Sequence, residues 1–90
     1  MRFEWAPEKA ASNLAKHGVS FGEGSTVFGD VLATTVPDPD HSFDEEREIT
    51  TGYSSQGRLV VVSHTNRGEV VRIFGARPAT PSERRSYESE

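Results

Sequence analysis

The sequence predicts an α+β domain: an antiparallel sheet with helices packed on one of its faces, in the order β-α-α-β-β-β-β-α. Three observations carry this prediction. Strand-like segments separated by short turn signals cluster between residues 31 and 74, as a β-meander requires. The two segments with the clearest helix start and stop signals lie outside that cluster, near the two ends of the chain. Ninety residues without an internal repeat suffice for one modest core and not for two, so 1–90 reads as a single domain.

Arg2-Phe3-Glu4-Trp5 alternates polar and apolar residues, as a short half-buried strand does. Pro7 then opens a helix over about 7–17, which Gly18 closes in the left-handed conformation. At about 100° per residue, Ala10, Ala11 and Leu14 share an apolar arc. Lys9, Asn13 and Lys16 form a polar stripe, with His17 on the border between the two. Ser20 and Glu23 have capping-box spacing for a short second helix carrying Phe21, Ser25 and Phe28. Gly22 and Gly24 weaken this helix, and Gly29-Asp30 ends it.

Val31 to Val36 reads as a strand stopped by Pro37 and Pro39. From Asp38 to Glu48 the chain carries six acids and one cation, Arg47, the composition of a solvated loop. The strand Glu48 to Tyr53 places Ile49, Thr51 and Tyr53 on one face. Ser55-Gln56-Gly57 turns the chain into Leu59 to Thr65, an unbroken apolar run suited to a central strand. Asn66-Arg67-Gly68 turns it again into Val70 to Phe74. Thr80-Pro81-Ser82-Glu83 combines an N-cap, a first-turn proline and a capping-box glutamate, so the last helix spans about 81–88.

Composition excludes several classes of function. There is no cysteine, hence no disulfide and no thiolate metal site. No apolar run approaches the ~20 residues of a membrane span, and no signal peptide opens the chain, so a cytoplasmic protein is expected. Asp38, Asp40 and Asp44 with His41 lack the central glycine and closing glutamate of a calcium loop, so neither metal nor cofactor is expected. Ser20, Ser42 and Ser63 lack a nucleophile elbow, and no phosphate loop or dinucleotide fingerprint is present. The aromatic residues are too scattered for an RNA-stacking platform. The net charge of −4 disfavours a generic nucleic-acid binder but hides an asymmetry. Residues 1–57 carry four basic side chains against ten acids, whereas residues 58–90 carry six arginines against four. Arginine is the side chain best shaped for bidentate phosphate contact.

The hairpin turn decides whether a phosphate site forms on the sheet. A three-residue Asn66-Arg67-Gly68 loop pairs Thr65 with Glu69 and puts His64, Val62, Val70, Arg72 and Phe74 on one face. A two-residue Arg67-Gly68 loop puts His64 and Arg72 on opposite faces. The three-residue loop is the expectation. RNA cleavage without a metal needs a deprotonated 2′-hydroxyl, neutralised phosphate charge and a protonated leaving oxygen. Lys16, His17, His64, Arg72, Arg77 and Tyr87 are of the right chemical type. Each also has a plainer reading. Lys16 and His17 complement the helix dipole, His64 is a hydrogen-bonded strand histidine, and Arg84 and Arg85 face solvent. Tyr87 can simply pack.

The chain also resembles a known family. Trp5…Lys9…Asn13…Lys16-His17-Gly18-Val19-Ser20-Phe21 looks like the N-terminal signature of BrnT toxins. The likeness continues through Val27-Phe28-Gly29-Asp30, Asp40-His41-Ser42, Asp44-Glu45, Arg47 and Gly52-Tyr53-Ser54. It ends with Val61-Val62-Ser63-His64-Thr65, Arg72-Ile73, Ala76-Arg77, Ala79-Thr80, Glu83-Arg84 and Tyr87. The resemblance implies a RelE/ParE-like fold and a ribonuclease toxin of a type II toxin–antitoxin pair that inhibits translation and growth. It implies silencing by a BrnA-like ribbon-helix-helix antitoxin and contact with operator DNA only through that complex. It maps Lys16, His17, His64, Arg72 and Arg77 as the catalytic set, with Tyr87 behind them. Lys9, Asn13, Arg67 and Arg84 are the candidates for RNA binding. Ala6 stands where the family usually has an aspartate, which removes a helix cap worth about 0.5–2 kcal/mol. A second reading is a weakened, non-catalytic toxin acting as an antitoxin-binding co-repressor module.

Overall fold

A computed structural model describes residues 1–40 and 45–89 of the chain; His41, Ser42 and Asp44 of the acidic stretch lie outside the described residues. The elements run β1 (Arg2–Glu4), α1 (Pro7–His17), α2 (Phe21–Thr26), a 3₁₀ turn (Val27–Gly29), β2 (Thr34–Pro37), β3 (Glu48–Tyr53), β4 (Leu59–Arg67), β5 (Val70–Pro78) and α3 (Pro81–Glu88). The helix boundaries follow the predicted caps. Gly18 closes α1 at φ 71°, its N–H bonding to the Leu14 carbonyl, and Thr80 with Glu83 forms a complete capping box on α3. Ala6 gives α1 no side-chain cap.

The α+β class and the element order stand, but the sheet is mixed rather than antiparallel. Its order is β1-β5-β4-β3-β2, and every neighbouring pair is antiparallel except β1 with β5. β1 covers only Val70 to Arg72 of β5, so the second half of β5 has no strand beyond it. α1 lies against that open edge instead. Its inward side is Ala10, Asn13 and His17, half-buried, while Ala11 and Leu14 of the expected apolar arc are exposed.

The core lies under α1 and α2. Val60 and Val62 of β4 and Val71, Ile73 and Ala76 of β5 meet Val19, Phe21 and Val27 there. Each fully buried aliphatic or aromatic side chain contributes about 1.5–3 kcal/mol. Gly24 packs so closely on the sheet that a Cβ there would lie 3.2 Å from Ala76. Glu23, buried at the start of α2, accepts from Ser54 Oγ (2.6 Å) and Arg58 Nε (3.0 Å) and is paired with the Arg58 guanidinium. Arg58 thereby holds the Glu23 carboxyl below its usual range and ties the β3–β4 turn to α2.

Not all the helices share the core face. α3 meets the other side of the sheet through Glu83, Ser86, Tyr87 and Glu88, which border a groove floored by Thr51 and Tyr53. β2 also starts later than expected. Asp30 accepts from the backbone N–H of Leu32 (2.9 Å) and Tyr53 (2.8 Å), so Val31 and Leu32 form an exposed turn.

The largest correction concerns the β4–β5 hairpin. Arg67 pairs with Val70, leaving a two-residue Gly68-Glu69 turn with Gly68 at φ 63°. Positive φ at the first turn position favours glycine. The odd register pairs His64 with Ile73 and Thr65 with Arg72. A bulge follows: Ser63 pairs with Gly75, and Phe74 has no partner across the ladder. The bulge restores parity, keeping Val71, Ile73 and Ala76 on the core face while Arg72, Phe74 and Arg77 emerge on the other.

Candidate active site

Asn13 organises the site. Its Nδ2 donates to the Ala76 carbonyl (2.7 Å) and the Val19 carbonyl (2.9 Å), and its Oδ1 accepts from the Ala76 N–H (3.2 Å). One side-chain amide thus substitutes for the missing strand at the β5 edge and fixes the chain between α1 and α2. The expectation that Asn13 faces RNA gives way to this role, because its donors and acceptor are engaged by backbone.

One turn beyond Asn13, His17 leans over the sheet. Asn13 and His17 form one side of a cleft of about 150 Å³, with Ile49, Val61, Ser63, Gly75, Ala76 and Arg77 completing it. The side chains of His17 and the neighbouring Lys16 have no hydrogen bond or ion pair among the described residues. Lys16 is exposed and does not line the cleft. The cleft therefore combines an uncommitted imidazole with a guanidinium over a small floor, where Gly75 leaves room. The sequence names His17 and Arg77 on separate elements and gives Ser63 and Gly75, which line the same cleft, no role in a site.

Arg77 is held by a carboxylate. Its Nη1 and Nη2 donate to Glu83 Oε1 (2.8 Å) and Oε2 (2.9 Å), a bidentate fork. Arg77 is the main cause that lowers the Glu83 carboxyl to about 2, and Glu83 in turn raises the Arg77 guanidinium. The pair divides the cleft from the groove of about 760 Å³ beneath α3.

Arg72 and Arg67 stand farther along the same face and are likewise paired. Arg72 Nη1 contacts Glu4 Oε2 at 2.8 Å, and Arg67 Nη2 contacts Glu45 Oε2 at 2.9 Å. Residues 45–47 cross this end of the face. The Thr65 hydroxyl donates to the Glu46 carbonyl (2.6 Å), and the Arg47 guanidinium stacks 3.9 Å from the centre of the Phe74 ring. Lys9 approaches the same ring at 5.5 Å.

His64 does not join them. It is 1% exposed on the core face, edge-on to Phe28. Thr50 Oγ1 lies 2.7 Å from its Nε2, and Asn66 Oδ1 lies 3.1 Å from its Nδ1. An Nδ1–H tautomer satisfies both contacts, with Nδ1 donating to Asn66 and Nε2 accepting from Thr50. Burial pushes its pKa down, favouring the neutral ring. The expected His64–Arg72 phosphate pair is absent because the turn places them on opposite faces.

Tyr87 packs edge-on against Tyr53, and its hydroxyl donates to Asp30 Oδ2 (2.9 Å). Burial, then the bond to Asp30, raises the phenol to about 12, so it stays protonated. Arg84 lies on the exposed side of α3, 3.4 Å from Glu88. Tyr87 and Arg84 thus stand on α3, apart from the cleft at the end of α1. The described residues contain no group of three or more His, Asp or Glu side chains placed to hold a metal ion.

A family model described as the ribonuclease toxin BrnT of type II toxin–antitoxin systems matches residues 5–83. The fold is similar to the 1.1 Å crystal structure of the Brucella abortus ribonuclease toxin BrnT. The TM-score is 0.68, over 89% of this chain and 97% of that one, at 22% identity. No curated protein matches by sequence.

Proposed function

The chain belongs to the BrnT family of ribonuclease toxins of type II toxin–antitoxin systems, and from that premise we propose that it cleaves RNA in the cleft between the end of α1 and the second half of β5. The observation that carries this reading is the placement of His17 and Arg77 on one small cleft, with the imidazole uncommitted. Arg77 exchanges its Glu83 fork for the scissile phosphate, an oxyanion of similar geometry. His17 takes the proton of the 2′-hydroxyl, whose oxygen attacks phosphorus. The 5′-oxygen leaves and takes its proton from solvent water at the open side of the cleft. The products are a 2′,3′-cyclic phosphate and a 5′-hydroxyl, and no metal takes part. Lys16, Lys9 and Arg72 attract flanking phosphates, whereas His64 and Tyr87 serve the fold.

Membership of a type II family implies an antitoxin partner. In the proposed assignment this is a BrnA-like ribbon-helix-helix protein, and operator DNA is met only through the complex. The toxin acts in the cytoplasm, and RNA cleavage there arrests translation. No helix among the described residues is long and apolar enough to cross a membrane.

The test is cleavage of end-labelled RNA in the presence of a chelator, with the product termini identified. Cyclic phosphate ends are expected, and His17→Ala should lower the rate by about 10²–10⁴-fold, the range for a general base. Cleavage by His17→Ala at the wild-type rate would remove the cleft from consideration. Intact RNA with wild-type protein and tight antitoxin binding would favour the co-repressor module.

A further inference from the structure

We propose that Ser63 is a substrate-contacting residue of the cleft. Its hydroxyl donates a hydrogen bond to the nonbridging phosphate oxygen that points at the floor between His17 and Arg77. The assignment rests on the ribonuclease reading of the cleft and adds to it a residue that holds the phosphate. Ser63 forms no bond to phosphorus and passes on no proton; it supplies a fixed, neutral donor.

The first support is that this hydroxyl is uncommitted and accessible. The Ser63 side chain has no hydrogen bond among the described residues. No fully buried side-chain oxygen among those residues lacks a partner, so the half-buried Ser63 hydroxyl opens onto the cleft that it lines. Its neighbours on the floor, Ile49, Val61 and Gly75, carry no polar side-chain atom. Asn13 is engaged by the backbone of Ala76, and Arg77 by Glu83. His17 and Ser63 are therefore the two polar side chains of the cleft left for a ligand.

The second support is the register. Ser63 pairs across the ladder with Gly75, and Val61 pairs with Arg77. Ser63 and Arg77 are thus diagonal neighbours on one face, about 7–8 Å apart, within the span of an arginine side chain. The pairing of His64 with Ile73, continued without the bulge, would set Ser63 opposite Phe74 and bring a ring beside the hydroxyl. The bulge sets it opposite glycine instead, and bulges re-aim side chains near functional sites. A Cβ at Gly75 would lie 3.9 Å from Ser63 Cβ, so the space over the hydroxyl is clear. Chemistry gives the third support. His17 is neutral when it acts as the base, and Arg77 meets the phosphate from the side of Glu83. The oxygen turned toward the apolar floor loses water on entry and needs a donor there. A hydroxyl rotates to meet it and is a donor whether His17 is neutral or charged.

Ser63→Ala keeps the floor small and removes only the donor, so Tm should not change. It should bind a short 2′-deoxy oligonucleotide, which lacks the attacking hydroxyl, about tenfold more weakly than wild type. It should cleave the matching RNA about 10- to 100-fold more slowly, the range for a hydrogen bond to a charged group. Ser63→Thr, which keeps the hydroxyl, should restore both. Sulfur is a weak acceptor, so the phosphorothioate diastereomer with sulfur at the floor-facing oxygen should slow wild type and leave Ser63→Ala nearly unaffected. Ser63→Ala within twofold of wild type, equal losses in the Ala and Thr variants, or the same sulfur effect in wild type and Ser63→Ala overturns the proposal. Ser63-dependent binding of the deoxy probe without cleavage of the RNA supports the contact and rejects the cleavage reading alone. Cleavage by Ser63→Ala at the wild-type rate rejects the contact alone.

Discussion

The end of α1 and the strands of the sheet treat positive charge in opposite ways. On the sheet, Arg58 meets Glu23, Arg67 meets Glu45, Arg72 meets Glu4 and Arg77 meets Glu83. At the end of α1, Lys16 and His17 meet no carboxylate among the described residues. The arginine-rich second half of the sequence is therefore less available to a polyanion than its composition suggests. The region that composition leaves unremarkable holds the uncommitted groups. Phosphate must compete for Arg77, whereas His17 is open from the start.

Removing Arg77 breaks that comparison most severely. Arg77→Ala should lower RNA cleavage by about 10²–10³-fold, the scale of a lost transition-state donor, with a smaller loss of thermal stability as α3 loosens. Arg72→Ala should lower it less than tenfold, since Arg72 is paired with Glu4 outside the cleft. Comparable losses in the two variants, measured as kcat/KM on one RNA, would show that the cleft does not distinguish these arginines.

His64→Ala probes the opposite side of the sheet. Loss of a fully buried ring and its bonds to Thr50 and Asn66 should cost about 2–4 kcal/mol and lower Tm, while the folded fraction keeps its cleavage rate. A variant that melts normally but has lost catalysis would return His64 to the reaction. The acid side supplies a second check. Burial lowers the folded pKa of His64, so its contribution is full above the unfolded value of about 6.5 and declines as pH falls below it. That decline should disappear in the His64→Ala variant.

Caps and hydrophobic periodicity made most elements legible: α1, β3 and α3 occupy the spans read from the sequence. The site was only half legible, for two physical reasons. Asn66-Arg67-Gly68 fits a three-residue loop by composition, yet the chain uses Gly68-Glu69, and one residue of register puts Arg72 on the face opposite His64 and Val62. The inward side of α1 was misjudged because hydrophobicity cannot report an unpaired strand edge. The backbone of Ala76 needs polar partners more than apolar cover, and Asn13 supplies them. Asn13→Ala should therefore cost about 1–3 kcal/mol, leaving a buried backbone group unsatisfied, and should lower kcat through displacement of His17. A normal Tm and normal cleavage together would contradict this role.

Glu83→Gln makes the smallest change and bears most directly on the contrast between held and uncommitted charge. Glutamine still serves the capping box of α3, but it no longer offers Arg77 a charged fork. The partly exposed pair contributes on the order of 0–1 kcal/mol, so Tm should shift little. KM for RNA should fall several-fold with kcat nearly unchanged, because phosphate no longer displaces a carboxylate. The sign of the pH effect follows from the same contact. Arg77 holds the folded Glu83 carboxyl at about 2, so its stabilisation is complete above the unfolded value of about 4.3 and is lost as pH falls toward the folded value. Wild-type protein should lose that increment across this window in acid titrations of Tm, and Glu83→Gln should not. An unchanged KM would mean that the fork does not restrain Arg77, and the two regions would then differ in geometry but not in availability to RNA.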